Sequence, residues 1–332
     1  MLLYAGIDEA GYGPMLGPLC VAATAFVVEE HDPASGPPDL WRLLSKAVCR
    51  RPSDRRRRVA IDDSKKLKTA NDGPSHPLRH LERGVLAVLA GIGDNAEDGS
   101  WLPATDADLF DRLSVGIPKA ADVPWYASPT TLPLAHTAGE LSIAAAMVRR
   151  ACQGAGVRGV ISACEVIDAA QFNELLERFG NKATVNFGAV TRLIDRIWKA
   201  WPGCHPRIVV DRQGGRAFYR QPLQMTFPEA FVTVLGETDS VSRYRLEQAG
   251  SQVTISFESE SEQRHLPAAL ASMTAKYVRE LLMGRLNRFF QGYLPEIKPT
   301  AGYVQDGRRY VEEIAPVIDR LRIDRSRLVR RA

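Results

Sequence analysis

The sequence lacks long apolar runs and has no charged, apolar leader at its start. Its longest apolar run, residues 19–28, has ten residues and includes Thr24. A membrane-spanning helix needs roughly 18 apolar residues or more. The first six residues carry no charged side chain and form too short an apolar stretch for a signal peptide. We therefore expect neither a membrane-embedded nor a secreted protein.

Cysteine is scarce and scattered. The chain has five cysteines, an odd number, and no two of them are in CxxC spacing. This pattern argues against a framework of disulfides and against a zinc knuckle. Free, scattered cysteines are typical of a reducing compartment, so the expected location is the cytoplasm.

The composition is that of a globular protein. The chain has 332 residues, of which 45% are apolar and 25% charged, which excludes wholesale disorder. We expect one domain over 1–332, with an insertion at about 93–135 and a helical C-terminal extension at about 291–332. The net charge is +4, and six arginines fall within residues 50–58. Such a run is either a solvated loop or an extra contact to a polyanion, as are Arg212 and Arg216.

The order of apolar segments predicts a mixed α/β fold. Short apolar or alternating runs that are typical of strands are interspersed with longer segments of helical periodicity. A glycine-rich turn between the first two runs favours a hairpin. The strand-like runs are 3–9, 16–28, 159–166, 208–211, 231–235, 242–246 and 253–257, and the helix-like segments are 41–48, 80–92, 136–152, 186–201 and 267–290.

Acidic residues follow several of these runs. Asp8 and Glu9 close the first strand, Asp211 closes a central strand, and Glu262 precedes the long helix. Carboxylates that meet at one edge of a sheet suit hard divalent cations such as Mg²⁺ or Mn²⁺. Neighbouring strand residues point to opposite faces, so we expect Asp8 and Glu9 to share a site only if the chain kinks at the glycines that follow.

Four motifs resemble those of the type 2 ribonuclease H family. Residues 6–19, GIDEAGYGPMLGPL, are similar to its DEAGRGP-x-x-GP signature, and residues 63–67 are its DSKKL segment. Residues 271–276, ASMTAK, resemble its AASIxAK helix, and residues 302–303 match a GY pair near the end of the family's sequences. The four motifs occur in family order along the chain.

The resemblance implies a ribonuclease H-like mixed sheet of about five strands flanked by helices. It also implies an endonuclease that hydrolyses the RNA strand of RNA–DNA hybrids, or ribonucleotide-containing DNA, with two Mg²⁺ or Mn²⁺ ions per site. No protein partner follows from it. By position, the catalytic and metal-binding residues are Asp8, Glu9, Asp211 and Glu262, and the substrate-binding residues are Gly11, Tyr12, Gly13, Ser64, Lys65, Ser272, Lys276 and Tyr303.

The chain departs from the family pattern at two of these positions. Glu262 stands where type 2 enzymes usually have aspartate, although the related type 3 branch can have glutamate there; Glu258 and Glu260 are the reserve candidates. Tyr12 replaces the arginine of the family's GRG, and tyrosine has no charge to offer a phosphate. Recognition of a single embedded ribonucleotide is therefore open.

Other functions were weighed against this one. The glycines after the first strand do not have dinucleotide-binding spacing, because Pro14 and β-type residues follow where a helix should begin. The six histidines are isolated in the sequence; His265 could lie near the metals as a proton shuttle. Two alternatives stay open: a nucleic-acid-binding protein on the same fold, and a nuclease of that fold acting on another substrate.

Overall fold

The computed structural model describes residues 1–70, 73–92, 101–213 and 216–331. Its strands within these ranges are β1 (Leu2–Ala10), β2 (Leu19–Val28), β3 (Val48–Cys49), β4 (Val59–Ala60), β5 (Val157–Ile167), β6 (Arg207–Asp211), β7 (Phe231–Glu237), β8 (Val241–Gln248) and β9 (Ser251–Glu258). Its helices are α1 (Leu40–Leu43), α2 (Ser64–Leu67), α3 (Arg79–Ile92), α4 (Asp106–Arg112), α5 (Ala138–Gly154), α6 (Ala169–Phe179), α7 (Lys182–Ala200), α8 (Arg220–Thr226), α9 (Leu266–Gln291), α10 (Val304–Glu313), α11 (Ala315–Leu321) and α12 (Arg325–Leu328).

A seven-stranded mixed sheet forms the centre of the fold, in the order β5-β2-β1-β6-β9-β8-β7. The predicted mixed α/β class is confirmed, but the expectation of about five strands is wrong. The hairpin of β7 and β8 pairs antiparallel with β9 and extends the sheet on that side. Among the described helices, none is long and apolar enough to cross a membrane.

The pairing of the central strands decides where the acidic residues lie. β1 runs parallel to β6, and β6 runs parallel to β9. In the register, Ile7 is opposite Val210 and Asp211 is opposite Glu258. Parallel strands end at the same edge of a sheet, so the acids that follow β1, β6 and β9 are brought to one edge.

Helices cover both faces of the sheet. The long helix α9 packs on β1 and β2 from one side, and α7 packs on β2 and β5 from the other. Alternate residues of β1 accordingly belong to two separate apolar clusters, one on each face. At Gly6 a Cβ atom would lie 2.1 Å from the backbone nitrogen of Ala268, so glycine is what allows the start of α9 to approach β1.

The segment expected as an insertion is partly ordered against α9. Residues 93–100 lie outside the described residues, while 101–135 include α4, which begins with a capping box between Thr105 and Asp108. Arg285 on α9 binds the Asp106 carboxylate through its Nε at 2.8 Å and also through Nη2. Arg285 is 4% exposed and Asp106 0%. The division into one domain with an insertion and an extension stays a prediction.

Candidate active site

Asp8 and Glu9 project from opposite faces of β1. The strand is regular through this point, with Asp8 opposite Ala22 and Glu9 opposite Val21. Asp8 lies on the α9 side, where the Ser272 hydroxyl favours its charged form, and Glu9 lies on the α7 side, near Asn186. The strand is thus not kinked before Ala10, and the two side chains do not point to one face. They lie on either side of the sheet edge because the strand continues regularly to its end.

The four predicted carboxylates nevertheless influence one another. Burial, followed by the negative charges of Glu9 and Asp211, holds the pKa of Asp8 well above its ordinary value. Burial and the Asp211 charge raise the pKa of Glu9 to about 7. The pKa values of Asp211 and Glu262 are also raised, chiefly by burial, although a backbone N–H of Ser261 donates to Asp211 at 3.1 Å. The structure thus concentrates negative charge at this edge of the sheet.

This donor set fits a divalent cation by its chemistry. All the candidate ligands are carboxylate oxygens, which hard cations prefer, and the raised pKa values show that negative charge here lacks compensation. Within the described ranges, however, no group of three or more His, Cys, Asp or Glu side chains is arranged so that it could hold a metal ion as it stands. The placement of Asp8 and Glu9 on opposite faces accounts for this open arrangement.

The reserve acids and His265 have other partners. The Glu258 carboxylate is bound by His265 Nε2 at 3.0 Å and by Arg264 at 3.2 Å. Burial opposes ionisation of Glu258, but the hydrogen bond and charge of His265 bring its pKa below the ordinary value. The other ring nitrogen of His265 is bonded to the Tyr4 hydroxyl at 2.5 Å. Both ring nitrogens of His265 are therefore engaged, and Glu260 lies exposed in a turn.

The predicted phosphate contacts lie around the acids. Lys65 is exposed on α2, and its positive charge lowers the pKa of Glu9, of Asp211 and of Glu262. Ser64 and Ser272 are buried together, with their hydroxyl oxygens 3.0 Å apart. Lys276 is engaged differently, because its ammonium forms an ion pair with Glu280 at 2.8 Å. Lys65 is therefore the predicted lysine whose charge acts on the carboxylates.

The loop after β1 is held from behind by two buried arginines. Gly11 has φ of +88°, and a Cβ there would lie 2.5 Å from the Arg279 side chain, so only glycine fits. Arg279 donates to the carbonyl of Leu16 at 3.1 Å. Arg330 donates to the carbonyls of Gly11 and Pro14, and its backbone N–H donates to the carbonyl of Met15. Burial and the charge of Arg279 lower the pKa of Arg330 to about 10.

Tyr303 is brought to the same loop. The carbonyl of Gly302 accepts hydrogen bonds from the N–H groups of Met15 and Leu16, which fixes the chain just before Tyr303. Tyr303 is 54% exposed, while Tyr12 is partly buried. Burial and the charge of Glu9 raise the pKa of Tyr12. We call residues 11–13 together with Tyr303 the rim.

Asn186 is a polar neighbour of Glu9 that the sequence reasoning missed. It lies on α7, is 0% exposed and lowers the pKa of Glu9, yet neither of its polar side-chain atoms completes a hydrogen bond. A signal was available, because Asn186 occupies the position that begins the apolar stripe continued by Val190 and Leu193. A buried polar residue on such a stripe, without partners, indicates a functional constraint.

We expect Asn186→Leu to stabilise the fold and to lower activity. Leucine removes two buried polar atoms without partners, which should raise the free energy of unfolding by about 1–2 kcal/mol. The matched control is Asn173→Leu, because the Asn173 amide donates to the carbonyls of Ser326 and Val329 and accepts from Arg331 N–H. That variant should be destabilised. Urea denaturation of both variants measures the effect, and the same sign for both would contradict the assignment.

The raised pKa of Glu9 predicts a pH-dependent stability. Between its ordinary pKa of 4.5 and the folded value of about 7, the unfolded chain loses the Glu9 proton first, so the wild type loses stability as pH rises. Glu9→Gln should therefore match the wild type near pH 4 and be more stable at pH 7.5 and above, by about 1–3 kcal/mol. Melting curves in EDTA test this, with the exposed Glu260→Gln as control. A stability difference that is independent of pH would contradict it.

Comparison with known proteins gives structural likeness at low sequence identity. No family described by a sequence profile matches the chain, and no curated protein matches it. The chain overlays on the ribonuclease HII of Archaeoglobus fulgidus, solved with PCNA, at 14% identity over 98% of this chain and 93% of that one, with a TM-score of 0.39.

Two further solved structures overlay similarly. Ribonuclease H2 of Pyrococcus horikoshii is 13% identical over 98% of this chain and 92% of that one, with a TM-score of 0.43. RNase H3 of Aquifex aeolicus is 16% identical over 98% and 70%, with a TM-score of 0.41. At these values the argument for function rests on the residues of the chain itself.

Proposed function

We propose that the protein is a metal-dependent endonuclease that hydrolyses the RNA strand of RNA–DNA hybrids. The observation that carries this proposal is the set of carboxylates of Asp8, Glu9 and Asp211 at the shared end of β1 and β6, where burial raises the pKa of each and neighbouring charge raises those of Asp8 and Glu9. The four motifs, which occur in the order of the ribonuclease H family that they resemble, are the reason for proposing this reaction. Its products would carry 5′-phosphate and 3′-hydroxyl ends.

In this proposal Asp8, Glu9, Asp211 and Glu262 hold two Mg²⁺ or Mn²⁺ ions. Bound divalent ions would supply a hydroxide nucleophile and stabilise the leaving 3′-oxygen. A bound cation would compensate the charge of the carboxylates and lower their pKa values. They would therefore be ionised at neutral pH in the metal-bound site. Lys65, exposed beside them, would attract the scissile phosphate as a point charge.

The rim would position the nucleic acid across this edge. Gly11 and Gly13 would let a sugar-phosphate backbone come close, and Tyr12 and Tyr303 offer aromatic surfaces for stacking. Because Tyr12 has no charge, we propose hybrid cleavage as the main activity. Cleavage at a single embedded ribonucleotide is measured in the assay below. A binding protein without chemistry fits less well, because uncompensated carboxylates repel phosphate.

The test uses purified protein, Mn²⁺ or Mg²⁺ and three labelled duplexes: an RNA–DNA hybrid, DNA with one embedded ribonucleotide, and DNA alone. We expect cutting of the hybrid on its RNA strand and none of the DNA. The ratio of the cleavage rates of the hybrid and of the DNA with one ribonucleotide measures how much recognition of a single ribonucleotide is lost with Tyr12 in place of arginine. No cutting of either ribonucleotide-containing duplex with either metal would overturn the proposal.

A further inference from the structure

A second basic surface lies outside the carboxylate site. Residues 50–58, which we call the arginine loop, connect β3 to β4 and contain six arginines and one aspartate. This is a surplus of five positive charges, whereas the whole chain has a net charge of +4. The rest of the protein is therefore slightly acidic, and the positive charge of the molecule is concentrated in one loop.

The shape of the arginine loop is fixed by its neighbours. Arg58 forms a fork with the Asp54 carboxylate, at 3.2 Å from Nε and 2.7 Å from Nη2. Arg83 on α3 donates to the carbonyls of Arg57 and Arg58 at 2.6 and 3.1 Å. The N–H of Arg57 closes a turn onto the carbonyl of Asp54 at 3.0 Å. These contacts anchor the C-terminal half of the loop. They also engage Asp54, the single acid of the loop, with Arg58.

The remaining arginines are presented to solvent. Arg50, Arg51 and the run 55–57 are exposed, and within the described residues none of them forms an ion pair. The guanidinium carbon of Arg50 lies 3.6 Å from the centre of the Trp41 ring, so this arginine is held flat on an aromatic surface. Arg50, Arg51, Arg55 and Arg56 border an open surface hollow of about 610 Å³.

The arginine loop is close enough to the carboxylates to serve the same ligand. From Arg58 to Ser64 the chain covers six residues, which span at most about 22 Å. Ser64 contacts Ser272, and the Ser272 hydroxyl acts on Asp8. Phosphates follow one another at about 3.4 Å along each strand of a duplex, so the near end of the loop lies within at most about six base pairs of Ser64.

We infer that the arginine loop binds the phosphate backbone of the nucleic-acid duplex that occupies the carboxylate edge. Planar guanidinium groups bind phosphate oxygens in pairs, and a group of five exposed arginines without acids has no other compensation in the described structure. The inference deepens the proposed function, on which the choice of nucleic acid as the ligand rests. The loop supplies affinity and orientation and does not touch the reacting atoms.

The experiment compares two triple variants that remove the same charge. The loop variant lacks three exposed side chains that have no ion-pair partner; its substitutions are Arg51→Ala, Arg55→Ala and Arg56→Ala. Arg150→Ala, Arg178→Ala and Arg325→Ala remove three exposed arginines from α5, α6 and α12 as control. Fluorescence anisotropy measures Kd for an all-DNA duplex of 24 base pairs, in EDTA, between 50 and 200 mM salt, so that no cutting is involved.

Each phosphate contact contributes about 0.9 to the slope of log Kd against log salt. We expect the loop variant to lose about 2–3 from this slope and at least tenfold in affinity at low salt, while the control keeps the wild-type slope within about half a unit. Equal slopes for the two variants, or no duplex binding by the wild type, would overturn the inference.

A cutting assay separates this inference from the proposed function. On a 24-base-pair hybrid the loop variant should raise KM at least tenfold and leave kcat within about twofold, because the loop does not touch the reacting atoms. If the wild type cuts the hybrid and the loop variant has an unchanged salt slope, only the inference about the arginine loop is overturned. If binding depends on the loop but no hybrid is cut, only the proposed nuclease activity is overturned.

Discussion

Asp8→Asn is expected to abolish cutting of an RNA–DNA hybrid, with a loss of at least about 100-fold in kcat. Asp8 would help to hold a divalent cation, and an amide in its place has no negative charge to offer one; loss of a single electrostatic group at a reacting centre commonly costs this much or more. The exposed Glu260→Gln removes the same charge outside the group and should retain full activity.

The same variant separates a lost cation site from a lost fold. In EDTA, Asp8→Asn should melt at a higher temperature than the wild type at pH 8, because it removes a buried acid whose pKa is raised. Adding Mn²⁺ should stabilise the wild type, by about 2.7 kcal/mol at 100 times Kd, and should stabilise the variant much less. An inactive variant that still gains the full Mn²⁺ stabilisation would show that Asp8 does not hold the metal.

Asp106→Ala is expected to cost about 3–5 kcal/mol of the free energy of unfolding, because it leaves the Arg285 guanidinium buried without its partner. The matched control is Asp122→Ala. Asp122 pairs with Arg327 at the same distance of 2.5 Å, but both side chains are more than 40% exposed. An exposed pair contributes about 0–1 kcal/mol.

Urea denaturation of the two variants measures the difference that burial makes. A double variant, Asp106→Leu with Arg285→Met, should recover most of the loss, since an apolar pair of similar volume replaces a buried ion pair at little cost. Equal, small effects of Asp106→Ala and Asp122→Ala would show that 101–135 is not anchored to α9 through this pair.

Much of the sheet could be predicted from the sequence because its strands are local apolar runs. All seven runs coincide with strands of the sheet, and only their bounds differ. The second strand begins at Leu19 instead of residue 16, because Gly17 has φ of +78° and Pro18 follows it. The helix α6 is not among the predicted helices, although Asp168 caps its start and Gly180 ends it.

The candidate site was predictable only where a motif is continuous in the sequence. The placement of Asp8 and Glu9 on opposite faces follows from strand geometry and needed no family knowledge. Arg279 and Arg330 could not be assigned, because their roles depend on elements that are distant in the chain, whereas Asn186 is marked by its polar side chain on an apolar stripe. A local sequence pattern predicts the periodicity of a helix or strand. It does not predict which distant residue packs across the sheet or supports a loop.

The two arginines behind the rim also affect how the chain folds. The contact between Arg330 and the carbonyl of Gly11 joins positions 319 residues apart. Contacts of such sequence separation form late and slow folding, because a large loop must close before they can form. During synthesis the segment after β1 lacks this support until Arg330 has also been made. The rim therefore takes its final shape after the sheet on which it stands, whose last strand ends at Glu258.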